Sequence, residues 1–189
     1  GRISDFAFYP GGNQAFIAGI SSGNIFRTFN GGTTWEPIFE NEDSYAIGVV
    51  ELDPNDTNTI WVGTGENNAQ RSVAAGSGVY KSVDGGKSWS NVGLEDSGHI
   101  SQIWINPNDS AEVIVASQGP LWSDGGDRGL FRTSDGGKTW ELILEIDEHT
   151  GVNEFVVDPR DPDVIVASTY QRRRHVWVLI NGGPGSGIH

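Results

Sequence analysis

The stretch Ser82-Val83-Asp84-Gly85-Gly86-Lys87-Ser88-Trp89 is one of three related octapeptides in this chain of 189 residues. The other two copies run over residues 28–35 and 133–140. Their closing tryptophans are 54 and 51 residues apart. A repeat of this length, built from short strand-like runs, is typical of β-propeller blades. The octapeptides therefore predict the fold before any functional residue is considered.

Each octapeptide predicts a tight turn that leads into a strand. The Gly-Gly pair favours the turn because glycine adopts positive φ at little cost. We expect the carboxylates of Asp84 and Asp135 to accept hydrogen bonds within their own turns. The closing tryptophans are expected to be largely buried between blades, since the indole ring is large and apolar. The residues with this structural role are Asn30, Trp35, Asp84, Trp89, Asp135 and Trp140.

The sequence between the octapeptides predicts four strands in each repeat. Every repeat opens with an apolar run that ends in proline, and these runs are Ile3–Pro10, Tyr45–Pro54, His99–Pro107 and Val152–Pro159. Apolar residues alternate along each run, which indicates a strand with one buried face. A polar turn, a second strand, a variable link, a third strand and the octapeptide follow. Four antiparallel strands of this kind make one propeller blade.

The resulting prediction is an all-β propeller segment of about three and a half blades. Blade 1 covers residues 1–44, blade 2 covers 45–97, blade 3 covers 98–150, and a partial blade 4 covers 151–189. Blade 4 has two strands and the start of a third, because Ser186–His189 aligns with Ser77–Tyr80. We expect a fragment of a longer propeller, whose remaining blades would be its first partners.

Composition narrows the range of partners. The chain has 25 acidic and 12 basic residues, a net charge of −13, which argues against nucleic acid and anionic membrane surfaces. No apolar run is long enough to predict membrane insertion. The absence of cysteine excludes disulfides, thiolate catalysis and zinc–thiolate sites. The four histidines show no metal-ligand spacing, so the sequence indicates neither a metal nor a cofactor.

The octapeptides resemble the Asp-boxes, or BNR repeats, of sialidase-like, sortilin-like and xyloglucanase-like propellers. The second and third copies match the pattern S/T-x-D-x-G-x-S/T-W in full, whereas the first has Asn30 in place of Asp. The segments Gly63–Ser72 and Tyr170–Trp177 resemble loops of bacterial sortilin-like (VPS10-type) propellers, which are often labelled glycosyl hydrolases. This resemblance implies a secreted, periplasmic or cell-surface bacterial protein that binds a peptide, protein or glycan.

The links between second and third strands are the candidate binding loops, because they vary most in length. Strand alternation places them all on one face, opposite the octapeptide turns. The predicted ligand-binding residues are Glu66, Asn67, Arg71, Trp122, Tyr170, Arg172, Arg174 and Trp177. A purely structural alternative stays open. In it, Glu66 pairs with Arg71, the arginines neutralise neighbouring carboxylates and the tryptophans belong to the core.

Two other functions remain open at this stage. A glycoside hydrolase needs two carboxyl groups roughly 5–9.5 Å apart, and the candidates are Glu66, Asp127, Asp5 and Glu154. The arginine triad of a sialidase cannot be assembled, because the arginines at 172–174 are adjacent in sequence. The third function is a purely structural part of a larger secreted assembly. The sequence favours binding over catalysis, since about half of a closed ring is missing.

Overall fold

A computed structural model describes residues 2–68 and 73–189. Sixteen β-strands in these residues form four antiparallel sheets of four strands each. The only helix in the described residues is a 3₁₀ turn at Glu95–Ser97, so the prediction that no helix exceeds about two turns is confirmed for this part of the chain. Nothing helical in these two ranges is long and apolar enough to cross a membrane.

The first three sheets each use four consecutive strands in chain order. Sheet 1 consists of β1 (Ile3–Phe8), β2 (Phe16–Ile20), β3 (Asn24–Thr28) and β4 (Glu36–Pro37). Sheet 2 consists of β5 (Ile47–Leu52), β6 (Ile60–Thr64), β7 (Val79–Ser82) and β8 (Ser90–Asn91). Sheet 3 consists of β9 (Ile100–Ile105), β10 (Val113–Ser117), β11 (Gly129–Thr133) and β12 (Glu141–Leu144).

Sheet 4 departs from this plan. Its strands are β13 (Thr150–Asp158), β14 (Asp161–Arg174), β15 (Leu179–Asn181) and β16 (Gly187–Ile188). The far end of β14 pairs with β15 in a hairpin, while β16 pairs with Ser168 and Thr169 in the middle of β14. The short β16 lies where the third strand of the other sheets lies, as the alignment of Ser186–His189 predicts. The β14–β15 hairpin was not predicted, and it replaces an expected loop.

The sheets pack face to face in chain order, and a separate apolar cluster fills each of the three spaces between them. The first strands of neighbouring sheets lie against one another, from β1 through β5 and β9 to β13. Side chains also join them directly. Asp5 accepts a hydrogen bond from Val50 N (3.0 Å), and Gln102 accepts one from Phe155 N (2.8 Å). This row of first strands forms the inner edge of the molecule.

The octapeptides form the turns that the sequence predicts, and we call them the repeat turns. Gly85 and Gly86 have φ of 74° and 82°, which a residue with a side chain adopts only with strain. Asp84 accepts hydrogen bonds from Ser82 Oγ, Lys87 N and both Ser88 N and Oγ. Asp135 makes the same four bonds, and this set of donors holds the pKa of both carboxyls far below its usual range. The predicted bonds are confirmed.

The tryptophans of the repeat turns are only partly as predicted. Trp89 and Trp140 are half-buried between sheets, and their Nε1–H groups donate to Ile38 O (2.6 Å) and Val92 O (2.7 Å) of the preceding sheet. Trp35 is 44% exposed, so the prediction that it is buried is wrong. The reason is its position: within the described residues, no sheet packs against that side of sheet 1.

Candidate functional site

We call the side of the molecule on which the second strands end the loop face. The first strands begin on this same side, and the repeat turns lie at the opposite ends of the strands. Residues 65–68, the segment 118–128 and the β14–β15 hairpin all lie on the loop face. The predicted ligand-binding residue Arg71 lies outside the described residues.

Arg172 joins three of the sheets on the loop face. Its guanidinium donates to Asn68 O (2.6 Å), to Asn67 O (3.4 Å) and to the side-chain oxygen of Gln118 (3.1 Å). The side chain is therefore anchored in sheet 4, touches sheet 3 and holds a segment of sheet 2 that is more than 100 residues away. Arg172 is 3% exposed, and burial lowers its pKa. A charge this buried needs several acceptors, and here they are neutral oxygens.

Glu66 lies beside this junction and is also buried. Its carboxylate pairs with Arg2 and accepts a weak bond from Asn68 (3.4 Å). His99 lies nearby, immediately before the first strand of sheet 3. Burial, followed by the positive charge of Arg172, lowers the pKa of His99 to about 4. The imidazole is therefore neutral at physiological pH, and the local charge balance involves Glu66, Arg2 and Arg172.

The loop of sheet 3 is organised by Arg128. Its guanidinium donates to four carbonyl oxygens of the same loop: Gln118, Pro120, Ser123 and Gly125. Burial lowers the pKa of Arg128 to about 10. The catalytic candidate Asp127 accepts a hydrogen bond from Asp96 N (3.0 Å). Its carboxylate thereby holds the neighbouring turn and has a structural contact.

A second set of contacts fixes the β14–β15 hairpin to the loop of sheet 3. Arg173 pairs with Asp124 at 2.6 Å, and Asp124 also lies 3.0 Å from His149 Nδ1. The backbone N–H of Arg174 donates to Leu121 O (2.8 Å). These contacts tie the two segments together. The hairpin is thus held by its base, and its tip extends away from the sheets.

The aromatic candidates on the loop face remain in solvent. Trp177, at the tip of the hairpin, is 92% exposed, and Trp122, on the loop of sheet 3, is 60% exposed. The guanidinium of Arg174 lies 5.8 Å from the centre of the Trp122 ring, within the range of a cation–π contact. Tyr170 is half-buried, and its hydroxyl donates to the side-chain oxygen of Asn181 (3.0 Å).

Six of the eight predicted ligand-binding residues divide into two groups. Glu66, Asn67 and Arg172 are engaged in contacts between sheets. Trp122, Trp177 and Arg174 present surface to solvent or lie next to residues that do. The second group has the exposure that direct contact with a ligand requires, whereas the first group holds the loops in place.

The inner edge contains a separate cleft of about 480 Å³. Its walls come from the first strands of all four sheets and from Asn67, a predicted ligand-binding residue, and polar side chains dominate the lining. Two predicted carboxylates, Asp5 and Glu154, line it together, whereas Glu66 and Asp127 do not. Burial raises the pKa of Asp5, and the N–H groups of Val50 and Phe6 partly offset this effect.

Glu51 also lines this cleft, and the sequence analysis missed it. Burial, followed by the charge of Asp5, raises the pKa of Glu51 to about 7. A signal for it was present in the sequence. Three residues before the proline that ends each first strand, the other repeats have Ala7, Trp104 and Val156. A carboxylate at a position that is otherwise apolar indicates a local polar surface.

Metal ligation has no candidate in the described part of the chain. In residues 2–68 and 73–189, no group of three or more His, Cys, Asp or Glu side chains is arranged to hold a metal ion. The acidic and polar groups of the cleft can instead offer hydrogen bonds and negative charge. The loop face offers aromatic surface and guanidinium groups.

A profile of the Sortilin-Vps10 family (sortilin, neurotensin receptor 3) matches residues 77–182, more than half of the chain. The chain belongs to the Sortilin-Vps10 family. The match includes two of the repeat turns, the loop of sheet 3 and the β14–β15 hairpin. The predicted resemblance to sortilin-like propellers is confirmed. No curated protein matches the sequence.

Solved propeller structures share the fold. An ancestral GH74 enzyme superposes with a TM-score of 0.70 at 20% identity over 90% of this chain. The GH74 xyloglucanase from Xanthomonas campestris gives 0.61 at 17% identity over 98%, and YCF48 bound to D1 peptide gives 0.55 at 18% over 95%. At these identities the likeness shows the fold alone, and the predicted all-β propeller segment is confirmed.

The lengths of these proteins differ from that of the chain. The 189 residues span 22% and 28% of the two GH74 structures and 53% of YCF48.

Proposed function

We propose that this sortilin-like segment is a ligand-binding module whose contact surface is the loop face. The observation that carries the proposal is Trp177, almost fully exposed at the tip of a hairpin whose base is fixed. Exposed tryptophan costs solvation free energy, and tryptophan is enriched among residues that dominate binding interfaces. Trp122, with Arg174 beside its ring, extends the same surface.

The contacts that hold the loops of this surface in place also favour a binding function. Arg172 and Arg128 hold the loops through hydrogen bonds to carbonyl oxygens, and Arg173 pairs with Asp124. A surface fixed before the ligand arrives loses less conformational entropy on binding. The buried arginines thus act as positioning residues, and the exposed aromatic side chains make the contact.

The ligand class we propose is a peptide, protein or glycan, and the protein would act in a secreted or cell-surface setting. The peptide bound to YCF48 and the xyloglucanase activity named for a GH74 neighbour support both ligand types on similar propellers. Arginine and tryptophan together suit acidic or aromatic peptide side chains, while tryptophan alone suits the apolar face of a sugar. The net charge of −13 disfavours nucleic acid.

The test is a screen of the purified chain on a peptide library and a glycan array, followed by affinity measurements for each hit. Trp177→Ser and Trp122→Ser should each weaken binding by about tenfold or more. Trp35→Ser is the matched control, since Trp35 is also exposed but lies on sheet 1, away from the loop face. If hits bind the three variants equally well, the loop face is not the contact surface.

A second candidate function is glycoside hydrolysis in the inner-edge cleft. Glu51 is the observation that favours it, because a carboxyl with a pKa of about 7 can donate a proton near neutral pH while a neighbouring carboxylate stays ionised. In this arrangement Glu51 would be the acid and Asp5 the second carboxylate. Glu154 lines the same cleft and is the alternative second group.

Hydrolysis of aryl glycosides and of xyloglucan distinguishes the two functions. The binding proposal predicts no turnover above background. Turnover that Glu51→Gln abolishes and that Glu66→Gln leaves unchanged would favour the hydrolase instead. Glu66 is a suitable comparison only after its folding is checked, because its carboxylate pairs with Arg2.

A further inference from the structure

The loop of sheet 3 that carries Trp122 lies between two acidic segments of the loop face. On one side Asp127 N donates to Asp96 O (3.2 Å), and on the other side Gly125 N donates to Glu148 O (2.8 Å). One segment connects sheet 2 to sheet 3, and the other connects sheet 3 to sheet 4. The sheets on both sides of this loop therefore belong to the described chain.

Five exposed carboxylates lie on the two segments and on the loop between them, and we call these carboxylates the acidic rim. They belong to Glu95, Asp96, Asp124, Asp147 and Glu148. Carboxylates gathered on one surface give it a negative potential that attracts cations. Within the described residues, no three of these side chains are arranged to hold a metal ion. The rim therefore suits an organic cation better than a metal.

The arginines of this region offset little of the negative charge at the surface. Arg128 is 4% exposed, and its guanidinium donates to carbonyl oxygens of its own loop. Arg173 is 7% exposed and pairs with Asp124, one member of the rim. The three lysines of the chain lie in or beside the repeat turns, at the opposite ends of the strands, and are Lys81, Lys87 and Lys138. The exposed charge around Trp122 is therefore mainly acidic.

Trp122 already accepts a guanidinium group within the molecule. The guanidinium of Arg174 lies 5.8 Å from the centre of the indole ring. Trp122 nevertheless remains 60% exposed, so much of its surface is open to a ligand. Indole attracts cations more strongly than the other aromatic side chains do, and a cation on the ring also gains from nearby carboxylates. An exposed tryptophan within an acidic rim therefore suits a basic side chain.

We propose that the loop face binds basic peptides, through a lysine or arginine side chain placed on Trp122 within the acidic rim. This inference rests on the proposed binding function and selects one of its ligand classes. Trp177, 92% exposed at the hairpin tip, offers a second indole to a neighbouring residue of the same peptide. The net charge of −13 speeds association with a cationic ligand. An acidic peptide, which the arginines alone would suit, faces like charge from the rim.

Fluorescence anisotropy of the full chain with three labelled peptides tests the inference. The peptides have equal length and differ at three positions, which are all arginine, all glutamine or all glutamate. We expect the arginine peptide to bind at least about tenfold more tightly than the glutamine peptide, and the glutamate peptide to bind most weakly. The advantage of the arginine peptide should shrink as the salt concentration rises from about 50 to 500 mM, because salt screens exposed charges.

Substitutions separate the rim from a general attraction between opposite net charges. Glu148→Gln should weaken binding of the arginine peptide by about two- to fivefold, and Trp122→Ser should weaken it by about tenfold or more. Glu141→Gln is the matched control for the first of these variants. Glu141 is also exposed, but it follows a repeat turn at the opposite ends of the strands, so the same change of charge should have no effect.

Arg174→Met should have the opposite effect on the arginine peptide. It removes a cation that competes for the Trp122 ring, so binding should strengthen by about twofold or more, whereas a site for acidic ligands would lose affinity. Circular dichroism checks that each variant folds.

Two results would overturn the inference. One is an arginine peptide that binds no better than the glutamine peptide, and the other is an arginine peptide whose binding Arg174→Met weakens. If glycans or acidic peptides bind in a way that depends on Trp122 while the arginine peptide does not bind, the basic ligand class is wrong and the loop face remains the contact surface. Binding that both Trp122→Ser and Trp177→Ser leave unchanged contradicts the inference and the proposed function together.

Discussion

Replacing Arg172 with methionine tests how the loop face is held together. Methionine keeps much of the side-chain volume but removes the guanidinium, which donates to Asn67 O, Asn68 O and Gln118. These acceptors are partly or fully buried, and each buried acceptor left without a donor costs about 1–3 kcal/mol. The variant no longer buries a charge, which offsets part of the loss. We expect the free energy of unfolding to fall by roughly 2–4 kcal/mol.

Urea denaturation measures this loss, and hydrogen exchange locates it. In Arg172→Met, amides of residues 64–68 should exchange faster, while those of the repeat turn at residues 82–89 should not change, because Arg172 makes no contact there. Arg160→Met is the control, since this arginine is exposed and pairs only with Asp158. The reasoning is refuted if Arg172→Met is as stable as Arg160→Met and the exchange of residues 64–68 is unaltered.

The remaining predictions concern a repeat turn and two titrating groups. Trp89→Phe removes the donor to Ile38 O but keeps a ring, so the free energy of unfolding, measured in urea, should fall by about 1–2 kcal/mol. Trp89→Ala also removes the ring and should cost about 3–5 kcal/mol. Equal losses in the two variants would contradict the role of the hydrogen bond. His99 has its pKa lowered to about 4 when folded, so only the unfolded state binds its proton between pH 6.5 and 4, and stability should fall as the pH drops through this window. His99→Gln should flatten that part of the pH profile, and an unchanged profile would count against a neutral buried His99. Glu51 has its pKa raised to about 7, so its ionisation opposes folding as the pH rises from 4.5 to 7. Glu51→Gln should therefore be more stable than wild type at pH 8, by up to about 3 kcal/mol, and equally stable at pH 4. Equal stability at pH 8 would show that burial does not raise the pKa of the Glu51 carboxyl.

Local chemistry made much of the fold predictable. The Gly-Gly pair and the Asp of each octapeptide determine a turn through bonds that span only four residues, and alternation before each proline predicts a strand. Asp84 and Asp135 behave as predicted because all their partners belong to the same turn. Trp35 does not, because its burial depends on a neighbouring sheet and not on its own turn.

The site was less predictable because its contacts are long-range. Arg172 reaches Asn68 across 104 residues, and no local pattern in three adjacent arginines shows that one donates to backbone oxygens of another sheet, one pairs with Asp124 and one lies over Trp122. The sequence did not predict the hairpin because Arg172, Arg173 and Arg174 show no apolar alternation. In the structure they pair with Asn181, Ile180 and Leu179.

Nuclear magnetic resonance of the tryptophan indole N–H groups tests the central claim most directly. The seven indoles report separately on the loop face, the cores between sheets and the exposed side of sheet 1, and single Trp→Phe variants assign them. On titration with a peptide or glycan from the screen, we predict that the Trp122 and Trp177 signals shift. The signals of Trp89 and Trp140, bonded to Ile38 O and Val92 O, should stay in place. Shifts confined to Trp35 or Trp104, with Trp122 and Trp177 unmoved, would contradict the claim that the loop face binds the ligand.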